Sequence, residues 1–186
     1  MKRILLLILL LLHFPAPGGS PAPRVKVGAD VLTEKRMAML RGKRVGLVIN
    51  QTGRVASGEN LLDALIARHI SITALFGPEH GVRGTWPARE SVPDSVDGKT
   101  KIPVFSLYGR TRKPTPSMLR NVDLLLYDIQ DAGARFYTYL STMGLCMEAA
   151  AEKGIPFVVL DRPNLLGGIN DHATERRDQR SRRPVA

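Results

Sequence analysis

The amino-acid sequence predicts an α/β fold of the Rossmann-like kind, a mostly parallel sheet flanked by helices on both faces. Three observations favour this class. Short apolar runs alternate with helix-length segments along the 186 residues. The runs are rich in Val, Ile and Leu, as expected when helices cover both faces of a sheet. Four of the runs end in a polar cluster, and open α/β sheets bind ligands at the carboxyl ends of their strands. The sequence therefore predicts both a fold and the edge that carries a site.

Capping residues and apolar spacing predict the helices. Asp30 predicts the N-cap of a first helix, and Gly42 predicts its end. A second helix is predicted over residues 57–68, where apolar residues share one face. The clearest helix is predicted over residues 138–153, with Gly154 as its C-cap. Its core-facing stripe is predicted to consist of Leu140, Met143, Met147 and Ala150.

The strands are predicted from the apolar runs at residues 45–49, 72–76, 102–107, 123–127 and 155–160. Thr115 predicts the cap of a further short helix that ends at Leu119. Residues 77–101 form a long connection rich in Gly, Pro and charge, and long connections of this kind are usually functional or disordered. Strands that alternate with helices imply right-handed crossovers and parallel pairing.

The two ends of the chain differ from its centre. In residues 1–23, Lys2 and Arg3 precede an apolar stretch that Pro and Gly then break, which predicts an export signal. The stretch is too short to span a bilayer, so we expect an exported chain, periplasmic or extracellular, with no stable membrane anchor. Residues 24–168 form the predicted domain. Residues 169–186 lack apolar periodicity and predict a disordered or aberrant tail, with read-through or truncation as alternatives.

The charge and the cysteine content exclude several classes of protein. The net charge is +10, but the signal and the tail contribute +2 each, and the remaining charge is spread among acidic residues. No basic stripe with interleaved aromatic residues remains, so no nucleic-acid partner is expected. The single Cys146 excludes an internal disulfide and predicts a buried, inert thiol. Neither a dinucleotide fingerprint nor a Walker lysine follows any strand, and no cofactor is expected.

Glu79 and His80 are the first candidates for chemistry. They lie in a loop framed by Gly and Pro directly after the second predicted strand. Such a loop can hold a carboxyl group rigidly and partly desolvated, which raises its pKa toward the range of a general acid. Alternatively, Glu79 caps the next segment and His80 is an ordinary loop residue.

Asp128 and Asp131 follow the fourth predicted strand and are candidates for a carboxylate pair. With His80 they could also bind a divalent metal, but neither a His pair nor a Cys pair is present, so no metal site is predicted. Asp128 could equally accept backbone N–H bonds within its loop.

Arginine and tyrosine side chains near these loops are candidates for recognition of a ligand. Arg83 and Arg135 could bind a carboxylate in bidentate fashion, and Tyr139 could pack against a sugar ring. Alternatively, Arg135 pairs with Asp131, the tyrosines pack structurally, and Asp161-Arg162 forms an internal ion pair at the last strand.

Several motifs together resemble the exo-β-N-acetylmuramidase family, formerly DUF1343. The resemblance covers about residues 25–168. The motifs occur in the expected order: Phe76-Gly77-Pro78-Glu79-His80-Gly81-Val82-Arg83-Gly84, Ser106-Leu107-Tyr108-Gly109, Pro114-Thr115-Pro116, Tyr127-Asp128-Ile129-Gln130-Asp131, Arg135-Phe136-Tyr137-Thr138-Tyr139 and Leu160-Asp161-Arg162-Pro163-Asn164.

The resemblance implies release of terminal N-acetylmuramic acid from peptidoglycan fragments, in cell-wall turnover and recycling. It implies Glu79 as the catalytic acid and muramyl saccharides as partners. It also implies a cleft between this domain and a C-terminal auxiliary domain. The second carboxylate is expected to be Asp131. The residues expected around the sugar are Asn50, His80, Arg83, Asp128, Arg135 and Tyr139.

The sequence departs from the family pattern after Asn164, where Leu165 replaces a proline and residue 169 onward matches nothing expected. The auxiliary domain is therefore expected to be absent. The alternative to a hydrolase is a non-catalytic glycan-binding protein or an inert remnant of such an enzyme. Metal-dependent hydrolysis of another substrate is a third hypothesis.

Overall fold

The computed structural model describes residues 25–85, 93–134 and 136–165. It contains a six-stranded sheet in which β1 is central and the strand order is β3-β4-β2-β1-β5-β6. All the pairings are parallel except that of β3 with β4. The predicted α/β class and mostly parallel sheet are confirmed. The strands are β1 Val45–Ile49, β2 Ile72–Gly77, β3 Ser95–Val96, β4 Pro103–Ser106, β5 Leu124–Asp128 and β6 Phe157–Val159.

The strand order reverses beside β1. The chain builds outward through β2 and β4 on one side of β1, and then crosses to β5 and β6 on the other side. Ile49 at the end of β1 lies opposite Asp128 at the end of β5. This is a topological switch point, where the loops that leave two adjacent strands diverge and open a crevice. Asn50 is the first residue after β1 and therefore lies at that crevice.

Two apolar layers cover the two faces of the sheet. One layer packs Leu61 and Leu65 of helix α2 (Leu61–Ala67) against strand residues such as Leu47. The other layer packs Cys146 and Ala150 of helix α3 (Tyr139–Lys153) against the opposite face. Each layer removes a large apolar area from water, which is the main favourable term in folding. The predicted helical cover on both faces is confirmed.

The first helix, α1 (Gly28–Val31), continues as a π-helical turn Leu32–Arg36 and a 3₁₀ turn Met37–Met39. The prediction that Asp30 caps this helix is wrong, because the N-cap is Val27. The Asp30 carboxylate is buried and accepts the backbone N–H of Ala56 at 2.6 Å. The Asp30 side chain therefore bonds to a distant segment of the chain instead of capping its own helix. Gly42 follows the helical turns with φ +70°.

Helix α2 begins later than predicted. Its N-cap is Asn60, whose side chain accepts the backbone N–H of Leu62 at 3.0 Å. The preceding residues turn back on themselves, and Arg54 bridges Asn60. The predicted short helix at residues 115–119 is wrong, since these residues form hydrogen-bonded turns instead.

Helix α3 ends at Gly154 with φ +70°, as predicted. The predicted core-facing stripe is wrong at Leu140 and Met147, which are 63% and 50% exposed, and is confirmed at Ala150, which is buried, and at Met143, which packs against the core. Most positions of this helix are apolar, so periodicity alone does not select a face. Small side chains let the helix approach the sheet closely, and its buried residues are Tyr139, Thr142, Cys146, Ala149 and Ala150. The predicted burial of Cys146 is confirmed.

No helix in the described part of the chain is long and apolar enough to cross a membrane. The predicted export signal at residues 1–23 and the predicted tail at residues 169–186 lie outside the described residues. Both stay predictions.

Candidate active site at the carboxyl edge of the sheet

Glu79 lies in a tight turn directly after β2. The backbone N–H of Gly81 donates to the Pro78 carbonyl at 2.9 Å, which closes the turn. His80 holds φ +70°, a left-handed conformation that costs a residue with a side chain about 1–2 kcal/mol. A Cβ atom on Gly77 would lie 3.1 Å from Gly81 Cα, so the turn folds closely over the strand end. The turn therefore fixes the backbone that carries the Glu79 carboxyl group.

Arg83 anchors the far end of this loop. Its Nε donates to Asp97 Oδ1 at 3.0 Å, and its Nη1 donates to Asp63 Oδ2 at 3.3 Å. Burial opposes ionisation of Asp97, but hydrogen bonds from Arg83 and Thr100 outweigh this and lower its pKa to about 2. Lys99 also pairs with Asp63, at 2.8 Å. The Arg83 guanidinium thus ties the loop to α2 and to the segment after β3, and the predicted contact with a sugar stays a prediction.

Asn50 is fully buried at the end of β1. Its Oδ1 accepts the backbone N–H of Thr52 at 2.9 Å and the Thr52 hydroxyl at 2.5 Å. The same hydroxyl oxygen accepts the backbone N–H of Gln130 at 2.9 Å. These bonds fasten the loop after β1 to the loop after β5 at the switch point.

Asp128 at the end of β5 is paired with an arginine that follows the neighbouring strand β6. Arg162 donates from Nε to Oδ1 at 2.6 Å and from Nη2 to Oδ2 at 2.8 Å, and Nη2 also donates to the Arg54 carbonyl at 3.0 Å. The Asp128 side chain is 0% exposed and the Arg162 side chain is 9% exposed. Burial raises the pKa of Asp128, and the Arg162 guanidinium only partly offsets this.

This ion pair joins β5 to the segment after β6. The hypothesis that Asp128 accepts backbone N–H bonds is replaced by this bidentate pair, and the partner of Arg162 is Asp128 rather than Asp161. A predicted contact between Asp128 and substrate stays a prediction.

Asp131 lies in a loop braced by the segment that follows β6. Its Oδ2 accepts the backbone N–H of Gly133 at 2.9 Å, and Gln130 Nε2 donates to the Pro163 carbonyl at 2.9 Å. Gly133 has φ +72°, and a Cβ atom there would collide with the Asn164 amide. Only glycine fits this position without strain. Asp131 is thereby held on the same side of the sheet as Asn50.

Tyr139 brings the candidates from different strands together. It begins α3, is 7% exposed, and its carbonyl accepts the Tyr127 hydroxyl at 2.9 Å. Burial raises the pKa of Tyr139; the nearby Asn50 amide lowers it, and the charge of Glu79 raises it further. Both side chains therefore lie near the Tyr139 phenol. The ring of Tyr137 packs edge-on against that of Tyr139, with 5.2 Å between centroids.

The structure thus gathers Asn50, Glu79 and Tyr139 at the crevice and holds Asp131 in a loop fastened to the loop after β1. Arg135 lies outside the described residues, and its role stays a prediction. Among the residues that the structure describes, there is no group of three His, Cys, Asp or Glu side chains suited to a metal ion.

Some residues that build the site were not predicted from the sequence. Thr52, Gln130 and Asn164 brace the loops, and Asp97 holds Arg83. The spacing Asn50-x-Thr52 is typical of a side-chain-capped turn and could have indicated Thr52. Nothing local could have indicated the others, since their partners lie far away in the chain.

A Rossmann-like domain with an acid-bearing turn and aromatic side chains at its switch point is typical of an enzyme of the α/β class. The family model described as exo-β-N-acetylmuramidase NamZ, N-terminal, matches residues 45–179, and the chain belongs to this family. The resemblance noted from the sequence motifs is confirmed. The match also runs past residue 168, beyond the motifs that carry the resemblance.

Relatives support the same assignment. The chain is 54% identical over 147 residues to the peptidoglycan β-N-acetylmuramidase NamZ of Bacillus subtilis (strain 168), covering 78% of this chain and 36% of that protein. A crystal structure of a DUF1343 family protein from Bacteroides fragilis NCTC 9343 is 50% identical, with a TM-score of 0.72 over 80% of this chain and 38% of its own. A second one from that organism is 37% identical, with a TM-score of 0.64 over 76% of this chain and 36% of its own. The chain therefore spans little more than a third of the length of these relatives.

Proposed function

We propose that this member of a cell-wall glycosidase family is a glycoside hydrolase that releases terminal N-acetylmuramic acid from peptidoglycan fragments, in cell-wall turnover and recycling. The observation that carries the proposal is the placement of Glu79. This residue lies in a hydrogen-bonded turn directly after β2, at the edge of the sheet where Asn50 follows β1, and its charge acts on the Tyr139 phenol. Family membership supports a substrate from the cell wall, and a muramyl saccharide is the proposed partner.

In this proposal Glu79 protonates the glycosidic oxygen as the sugar leaves. Asp131 is the second carboxylate, which assists the attacking water or stabilises the oxocarbenium-like transition state. A general acid of this kind contributes roughly 10²- to 10⁴-fold in rate. The aromatic side chains of Phe136 and Tyr137 are 84% and 41% exposed next to Tyr139, and they offer apolar faces for a sugar ring.

The test compares Glu79→Gln with the unaltered chain on a chromogenic N-acetylmuramide. We expect the unaltered chain to release the sugar and the variant to lose at least about 100-fold in kcat, because Gln cannot donate the proton. Glu59→Gln is the matched control, since Glu59 is exposed in the turn before α2 and this variant should keep full activity. Near-normal turnover by Glu79→Gln would show that Glu79 is not the general acid.

The alternative is a glycan-binding protein without activity. Binding of the muramide and of intact cell wall with no release of sugar would favour that function over the hydrolase. Activity that a chelator abolishes would instead favour metal-dependent hydrolysis.

We also propose that the chain is exported to the periplasm or the cell exterior, on the pattern of residues 1–23. Fractionation of cells that express the full chain tests this directly. Recovery only with cytoplasmic markers would contradict it.

A further inference from the structure

The Arg83 guanidinium lies between two carboxylates that come from different elements of the fold. Its Nε and Nη2 donate to the two oxygens of Asp97, at 3.0 and 3.1 Å. Its Nη1 and Nη2 donate to the two oxygens of Asp63 in α2, at 3.3 and 3.2 Å. An arginine side chain has five N–H bonds, and these contacts use four of them. Arg83 therefore has no pair of N–H bonds left for bidentate binding of a ligand carboxylate.

Both carboxylates are held in place by further bonds. The backbone N–H and the hydroxyl of Thr100 donate to Asp97 Oδ2, at 2.9 and 2.7 Å. The Lys99 ammonium donates to Asp63 Oδ2 at 2.8 Å. The side chain of Asp97 is 4% exposed and that of Arg83 is 27% exposed, so water screens these contacts less than it screens a surface ion pair. The cluster therefore fixes the position of the guanidinium.

The backbone between Arg83 and Glu79 is short and bonded to itself. Four residues separate the two positions along the chain. The N–H of Gly81 donates to the Pro78 carbonyl at 2.9 Å, and the N–H of Gly84 donates to the Gly81 carbonyl at 3.4 Å. A displacement of Arg83 is therefore passed on to the turn that carries the acid. A misplacement of about 1 Å is enough to cost a reaction about 10²-fold in rate.

We propose that Arg83 is a positioning residue for Glu79, and that Arg83, Asp63 and Asp97 form a clamp that sets where the Glu79 carboxyl group lies. In this role Arg83 acts through the loop and does not contact the substrate, unlike the contact predicted from the sequence. The inference rests on the proposed function in taking Glu79 as the general acid. It adds two aspartates to the residues on which the rate depends.

The first experiment measures kcat and KM for Arg83→Met and Asp97→Asn on the chromogenic N-acetylmuramide. We expect Arg83→Met to lose about 10- to 100-fold in kcat with KM changed by less than about twofold, because the acid is displaced while the substrate contacts remain. Asp97→Asn should lower kcat in the same way. The double variant should lose about as much as Arg83→Met alone, since both changes break the same clamp.

The opposite kinetic pattern would overturn the clamp. If Arg83 bound the substrate directly, Arg83→Met would raise KM, and Asp97→Asn would leave both constants near normal. Losses that simply add in the double variant would show that the two residues act independently.

Hydrogen exchange measured by NMR tests the clamp without requiring activity. The bond to the Pro78 carbonyl protects the Gly81 N–H. We expect this protection to fall about tenfold or more in Arg83→Met, because the far end of the loop is released. Arg44→Met is the matched control, since Arg44 makes a bidentate contact with Asp123 on the surface. This control should change neither the Gly81 exchange nor kcat.

The exchange measurement also applies when a variant is unstable. Val82 is buried in the core beside the clamp, so we expect Arg83→Met to fold. If circular dichroism shows that it is unfolded, Asp97→Asn decides by the same measurement, because it keeps the bonds between Arg83 and Asp63. Unchanged Gly81 protection in the folded variant contradicts the clamp.

The two readouts separate this inference from the proposed function. An inactive chain in which Arg83→Met lowers the Gly81 protection supports the clamp and contradicts the hydrolase. An active chain in which Arg83→Met keeps both its kcat and its Gly81 protection supports the hydrolase and contradicts the clamp.

Discussion

The buried pair of Asp128 and Arg162 gives a prediction whose magnitude follows from the structure. Arg162→Met keeps most of the apolar volume of the side chain and removes both hydrogen bonds to a carboxylate that is 0% exposed. Breaking a buried ion pair on one side typically costs about 3–5 kcal/mol, because an uncompensated charge stays in the interior. We expect Arg162→Met to lose about 3–4 kcal/mol of unfolding free energy at pH 7.

Protonation of Asp128 sets a limit to this loss and makes it depend on pH. The ordinary pKa of this carboxyl group is 3.8, so neutralising it at pH 7 costs about 4.4 kcal/mol at 1.36 kcal/mol per pH unit. At pH 5 the same neutralisation costs only about 1.6 kcal/mol. Burial already raises the pKa of Asp128 in the native pair. The destabilisation of Arg162→Met should therefore shrink by about 2 kcal/mol or more between pH 7 and pH 5.

The assay is urea unfolding at pH 7 and pH 5, followed by circular dichroism. Arg44→Met is the matched control, because Arg44 makes the same bidentate contact with Asp123 on the surface and should lose much less. The double variant Asp128→Asn/Arg162→Met should recover most of the loss, since no buried charge remains. A loss below about 1 kcal/mol at pH 7, or a loss that does not change with pH, would refute the reasoning.

Three further predictions concern the supports of the site and the core. The pKa of Asp97 is about 2 in the fold, against 3.8 ordinarily. Ionised Asp97 therefore contributes about 2 kcal/mol to the unfolding free energy above pH 4, and this contribution is lost as the pH falls toward 2. The unfolding free energy of Asp97→Asn should depend less steeply on pH in this range, and an unchanged slope would contradict this. Gly133→Ala should destabilise more than Gly42→Ala in thermal unfolding, because both positions have φ near +70° but only Gly133 faces the Asn164 amide; equal losses would contradict the close contact. Burial raises the pKa of Cys146 to about 12, so a thiol reagent should react only after denaturant is added, and prompt labelling of the native chain would show that the thiol is accessible.

The sheet could be predicted from the sequence because its strands are short apolar runs with clear ends. The structure places β1 at Val45–Ile49, as predicted, and shifts the other long strands by a residue or two. The strand β3, Ser95–Val96, was not predicted. Both of its residues are exposed, and it exists because it pairs with β4 rather than because of its own composition.

The wrong predictions about the Asp30 cap and about the buried face of α3 have different physical reasons. Asp30 fits the pattern of an N-cap, but in the fold its carboxylate accepts the backbone N–H of Ala56. In α3 most side chains are apolar, so the buried face is selected by the small residues that let the helix approach the sheet. The sequence could not show which of Leu140 or Ala149 would face the core, because both fit an apolar pattern.

The candidate site was predictable in its location but not in its pairings. Because β1 and β2 are parallel, the polar clusters that follow them lie at the same edge of the sheet. This places Asn50 and Glu79 at that edge. The partners of the charged residues come from elsewhere in the chain: Arg83 binds Asp97, and Asp128 binds Arg162, 34 residues away in sequence. Local spacing carries no information on such contacts.

An NMR titration of the full chain with N-acetylmuramic acid tests most directly whether this edge of the sheet binds the sugar. The account predicts that the largest backbone amide shifts occur at Gln51, His80, Asp131 and Gly133, on the loops that follow β1, β2 and β5. Shifts confined to the exposed face of α3 around Leu140 and Met147, or no shifts at millimolar sugar, would contradict it.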